Sequence, residues 1–181
     1  MPKYIAFLRA INVGTHQVKM DQLRSLFEEL GFSNVETFIA SGNVIFDTKS
    51  NNTKSLEARI EKHLLKSLGY EVITFVRSVS ELAAIATHQP FSQAELDVET
   101  HTLYVGFLAE PPPEASIKNL LSKCSPIDDF HVDNREIYWL YRRENGESKF
   151  YGALLEKAIG VPATLRNVNT IERLAKKYCK K

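Results

Sequence analysis

Tyr4-Ile5-Ala6-Phe7-Leu8 and Tyr104-Val105-Gly106-Phe107-Leu108 lie one hundred positions apart and share a single pattern: an aromatic, an aliphatic, a small residue, then Phe-Leu. The same order of signals follows both. Met20 to Leu30 carries apolar residues at helical spacing and ends on Gly31, suited to the left-handed position that closes a helix. Thr37-Phe38-Ile39-Ala40 and Val44-Ile45-Phe46-Asp47 flank Ser41-Gly42-Asn43, which predicts two antiparallel strands and a tight hairpin. Leu56, Ile60, Leu64, Leu65 and Leu68 form a helical stripe ending at Gly69, and Val72 to Val76 is rich in β-branched residues.

The second half repeats the order. Ile117 to Leu121 sits on its first helix, and Phe130-His131-Val132 pairs with Ile137-Tyr138-Trp139-Leu140-Tyr141 across Asp133-Asn134-Arg135. The closing segments agree best: Glu61-Lys62, Leu68-Gly69 and Arg77-Ser78-Val79 against Glu156-Lys157, Ile159-Gly160 and Arg166-Asn167-Val168. Each is followed by a helix, with Ser80 as the expected cap of one and Asn169 or Thr170 as that of the other. The order predicts an α+β protein, a tandem duplication of two ferredoxin-like βαββαβ subdomains over residues 1–94 and 95–181. Pro111-Pro112-Pro113 stops the strand that opens the second half.

With 23 basic and 22 acidic residues in 181, net charge is +1, so no global field recruits nucleic acid or an anionic membrane. Cys124 and Cys179 are far apart in a chain whose opening run is too short for a signal-peptide core, and they read as reduced thiols in the cytoplasm. No run approaches the length of a membrane span. His16, His63, His88, His101 and His131 lack metal-ligand spacing, so no metal and no cofactor is expected. Ser41 lacks a nucleophile elbow, and Gly14 lacks the companions of a phosphate loop.

What remains are polar residues at strand ends. Arg9 and Asn12 follow the first strand, and Ser41 and Asn43 occupy the first hairpin, which this topology brings to the same sheet edge. Ser148 and Lys149 precede the second helix of the second half, and Arg166 and Asn167 end its last strand, which brings them to the opposite edge. Arginine's planar fork suits an anion and asparagine offers both a donor and an acceptor, so the eight residues form the expected site for a small anionic or polar ligand in a cleft between the halves, that of a binding protein or of an enzyme.

Tandem βαββαβ units also describe paired RNA-recognition domains, which stack bases on aromatics of their first and third strands. Tyr138, Trp139 and Tyr141 fit that position, but the Gly-Phe-rich signature is missing and the first strand is apolar on both faces, so nucleic-acid binding is expected to be weak or absent. A third reading is an interaction protein whose strand edges pair with a partner.

The opening Tyr4 to Gly14, then Ser41 to Phe46, Pro90-Phe91 and Ala163 to Thr170 together resemble the bacterial proteins grouped as domain of unknown function 1697. The family more often reads Arg-Gly-Ile-Asn-Val-Gly-Gly and Arg-Asn-Trp, and Ala10, Thr15 and Val168 depart from it. The resemblance implies a cytosolic α+β protein with two related subdomains. It implies no activity, substrate or cofactor.

Overall fold

The computed structural model describes residues 1–12, 14–39, 42–151 and 153–180. The chain is a mixed α+β protein with two four-stranded antiparallel sheets and, among the described residues, seven α-helices. It divides into two compact units, Met1–Ala83 with the chain end from Tyr178, and Ala84–Lys177.

The first unit contains β1 (Lys3–Leu8), α1 (Met20–Glu29), β2 (Ser33–Thr37), β3 (Asn43–Asp47), α2 (Thr53–Leu68) and β4 (Thr74–Ser78), with sheet order β2-β3-β1-β4. Leu23, Leu26 and Phe27 on α1 and Leu56, Ile60 and Leu64 on α2 recur at three- and four-residue spacing, so each helix presents one apolar stripe. These stripes pack on Tyr4, Ala6, Leu8, Val44, Phe46 and Val76. Ile5, Phe7, Ile45 and Phe75, on the other face of the same strands, are also fully buried, which is why β1 reads as a continuous apolar run. Asn52 Oδ1 accepts the Ser55 N–H to open α2, and Gly69, at φ 81°, closes it.

Strand β4 is a sheet edge, and α2 covers its free donors. Glu57 Oε1 accepts the Val76 N–H at 2.9 Å and Glu61 Oε1 accepts that of Thr74 at 3.0 Å. Alternate residues of a strand rise about 6.7 Å, and four residues of a helix about 6 Å, so two carboxylates one turn apart match two outward N–H groups. Arg77 Nη1 donates to Val76 O at 3.1 Å. An edge so occupied cannot template a further strand at those positions.

Helix α3 (Val79–Thr87) runs from the first unit into the second, which contains α4 (Gln93–Leu96), β5 (His101–Phe107), α5 (Glu114–Leu121), β6 (Asp128–Asp133), β7 (Glu136–Arg142), α6 (Ala153–Ile159), β8 (Thr164–Asn167) and most of α7 (Val168–Tyr178). Its sheet order is β6-β7-β5-β8. Leu120, Leu155 and Ile159 pack with Phe130, Ile137, Trp139 and Tyr141. Asp128 is buried beneath them and accepts from Trp139 Nε1 at 2.8 Å and from Ser148 Oγ at 2.6 Å. Glu156 Oε1 accepts the Ala163 N–H at 3.0 Å, and Arg166 Nη1 donates to Leu165 O at 2.9 Å.

Three local expectations shift. Strand β2 is Ser33–Thr37, ending where the expected strand began, because Asn43 Nδ2 donates to Phe38 O and the Phe38 N–H donates to Asn43 O, closing a loop in which Ile39 has φ 58°. Ser78, not Ser80, caps α3 in a reciprocal box: Glu81 N donates to Ser78 Oγ at 3.1 Å and Ser78 N to Glu81 Oε2 at 2.8 Å. Asn167, ahead of both expected caps, accepts the Asn169 N–H at 2.9 Å to open α7. Among the described residues, no helix is long and apolar enough to cross a membrane.

Candidate functional site

Strand β5 pairs with β7 from His101 onward but with β8 only from Tyr104, because the chain turns into α7 at Val168. A groove of about 620 Å³ opens beside that shortfall. Thr102, Leu103 and Asn167 line it from the strands, Val168 and Asn169 from the start of α7, and Asp97, Glu99, Arg143 and Glu172 from the surrounding elements.

The wall from α4 is held by an ionic network. His101, whose side chain is only 6% exposed, has both ring nitrogens facing oxygens: Nδ1 lies 2.7 Å from Glu95 O, and Nε2 lies 2.5 Å from Glu144 Oε1. Arg142 forks onto Glu95, Nε to Oε2 at 3.2 Å and Nη2 to Oε1 at 3.1 Å, and also reaches Asp129 Oδ2 at 3.3 Å. The Arg142 hydrogen bonds hold the Glu95 carboxyl below the usual carboxylate range, and Glu95 in return raises the guanidinium. Glu144 is lowered chiefly by the Thr100 hydroxyl, which donates to it at 2.7 Å.

Arg143 is pinned differently. Its Nε donates to Thr100 O at 3.1 Å and its Nη2 to Glu99 O at 3.4 Å, so main-chain carbonyls rather than a carboxylate set its position. His88 Nε2 is buried without a hydrogen-bond partner, 4.0 Å from Asp133 Oδ2, and its ring rests against His131 and Tyr138. Among the described residues, no group of three or more His, Cys, Asp and Glu side chains is arranged to hold a metal ion.

Of the strand-end residues nominated from sequence, Asn167 lines this groove. Ser148 is buried on Asp128, Lys149 is exposed, and neither they nor Arg166 are among its lining residues. Arg166 is buried, its Nη1 donating to Thr164 Oγ1 at 2.8 Å as well as to Leu165 O, and burial lowers its pKa to about 10, which leaves it charged at neutral pH.

In the first unit the loop after β1 does meet the β2–β3 connection. Leu8 N donates to Gly42 O at 2.9 Å, and a Cβ on Gly42 would stand 2.7 Å from Ile11 Cγ2. Asn12 Oδ1 accepts the Val18 N–H at 2.7 Å, Asn43 is buried and bonded to Phe38, and Arg9 is half-buried with its main-chain N–H on Ile73 O. Ser41 lies outside the described residues.

Sequence reasoning passed over Glu95, Glu99, His101, Arg142, Arg143 and Glu144. Arg142-Arg143-Glu144 is the one local signal that pointed there, a charge run directly after a strand of aromatics.

The family model for a protein of unknown function, DUF1697, matches residues 1–138. The chain belongs to that family. No established function comes with membership, for the family is defined as one whose function is unknown. No curated protein matches this DUF1697 member. Among solved structures it is similar to the conserved bacterial protein SP0830 from Streptococcus pneumoniae, with a TM-score of 0.79, 22% identity, and 99% of each chain covered. That likeness shows the fold alone.

Proposed function

We propose that this protein binds a small polar metabolite in the groove beside β5. The observation that carries the reading is the groove itself, ligand-sized and lined by polar side chains where β8 falls short of β5. The nucleic-acid alternative is disfavoured by the burial of Tyr138, Trp139 and Tyr141, since a base cannot stack on rings already enclosed. A cytoplasmic location accords with two free thiols, Cys124 and Cys179.

We also infer that the two βαββαβ-like halves, over residues 1–94 and 95–181, are ferredoxin-like units descended from one duplicated ancestor. The support is correspondence in detail. The two sheets follow one order, Glu61 accepts the N–H of Thr74 at the start of the last strand and Glu156 that of Ala163 just ahead of it, Arg77 and Arg166 each donate to the preceding carbonyl, and Ser78 and Asn167 each cap the helix that follows.

A metabolite library screened by thermal shift tests the binding reading, because a ligand at one hundred times its dissociation constant adds about 2.7 kcal/mol. Asn169→Trp, placed on the groove wall, should abolish the shift of a true groove ligand. Hits that stabilise that variant as much as the wild type would remove the groove from consideration. Arg166→Ala, assayed beside it for folding and for hit binding, tests the strand-end arginine separately.

A further inference from the structure

We propose that the groove ligand carries protonated amine groups, a refinement that rests on the reading above. Among the described residues, the charged side chains lining the groove are the carboxylates of Asp97, Glu99 and Glu172 and one permanent cation, Arg143, with His88 and His101 besides. No lysine lines it. Two sources of positive potential would argue for an anion, and each already gives some of its donors to protein acceptors. Arg143 has Nε and Nη2 committed to the carbonyls of Thr100 and Glu99. The amino end of α7 carries partial positive charge, but its Asn169 N–H is taken by Asn167 Oδ1, and Glu172 sits one turn into the same helix. His101 has both ring nitrogens against oxygens of Glu95 and Glu144.

The acceptors are less committed. Asp97 Oδ1 receives Gln93 Nε2 at 2.8 Å, while the carboxylates of Glu99 and Glu172 make no hydrogen bond or ion pair among the described residues. An exposed carboxylate alone is ordinary. Here three carboxylates against one guanidinium border a ligand-sized groove, so a donor-rich cation finds partners and a phosphate or carboxylate meets the excess of negative charge.

The test is titration of the full chain with 1,4-diaminobutane, glucosamine, glucose and citrate, followed by calorimetry and by the imidazole resonances of His88 and His101, for wild type, Glu99→Gln, Glu172→Gln and Arg143→Gln. The two amines should bind saturably and perturb those resonances, and each Glu→Gln change should weaken them about tenfold, the loss expected for one charge-assisted hydrogen bond. Citrate binding that Arg143→Gln weakens, or glucose binding as well as glucosamine, would overturn the amine assignment while leaving the groove as a site. Absence of any saturable change at the two histidines, with far-UV dichroism showing folded protein, would overturn both the amine assignment and the groove reading.

Discussion

Glu57 Oε1 accepts the main-chain N–H of Val76 at 2.9 Å, and the glutamate that does so is only 7% exposed. A buried carboxylate on the face of an amphipathic helix is explained by the strand beside it. Among the described residues β4 has no strand partner on that side, and its outward N–H groups need acceptors.

Glu57→Ala leaves the Val76 donor without its acceptor and is expected to lower stability by about 1–3 kcal/mol, whereas Glu57→Gln, which keeps an oxygen in place, loses less. Urea midpoints for the two variants check the order. Equal losses would show that the carboxylate charge, rather than the hydrogen bond, matters at this edge.

Gly42 has φ 79° and no room for a side chain beside Ile11 and Leu8. Gly42→Ala should therefore destabilise by about 1–3 kcal/mol, combining left-handed strain with overpacking. Gly14, at φ 63°, has nothing within 4 Å of its missing Cβ. Gly14→Ala should lose only the conformational part, about 1 kcal/mol. Thermal unfolding of both separates the two causes.

Asp128 serves two buried donors, Trp139 Nε1 and Ser148 Oγ. Asp128→Ala strands both and is expected to cost about 1–3 kcal/mol for each group left unsatisfied. Trp139 is the chain's one tryptophan. Its emission should shift to longer wavelength as water reaches the indole, and an unchanged spectrum together with an unchanged midpoint would contradict the network.

The cluster around Glu95 makes a pH prediction. Glu95 and Glu144 have carboxyl pKa values depressed in the folded state, by the Arg142 and Thr100 hydrogen bonds respectively. A depressed carboxyl contributes stability that is complete above its unfolded pKa and is lost as pH falls through the folded value. Arg142→Met should therefore be less stable than wild type by a constant margin above about pH 5, and the margin should shrink as acid protonates Glu95. Hydrogen exchange over residues 93–99, compared at neutral and acid pH, reads the same linkage locally. A margin that widened in acid would reverse the assignment.

The order of elements was legible because helix and strand periodicities are local properties. The stripe Leu56, Ile60, Leu64 and the β-branched run after Val72 predict α2 and β4 without knowledge of any partner. Caps were less legible. Ser78 and Ser80 are both good N-cap residues, and the choice between them is made by where β4 stops pairing, at Ser78 opposite Tyr4 on β1.

The candidate site was hardly legible at all. Glu95, His101, Arg142 and Glu144 come from α4, β5, the end of β7 and the turn after it, and in sequence each reads as an ordinary solvated charge. Arg166 shows the converse, a residue that reads as a binding arginine and is buried with donors on Thr164 and Leu165. By itself the sequence determined the alternation of helices and strands, the apolar faces and the balanced charge, all set by spacing along the chain. Which polar groups meet, which edge N–H needs a carboxylate, and where a strand falls short and leaves a groove were decided only in the tertiary structure, because hydrogen bonds and ion pairs act over a few ångströms between residues that strand pairing brings together.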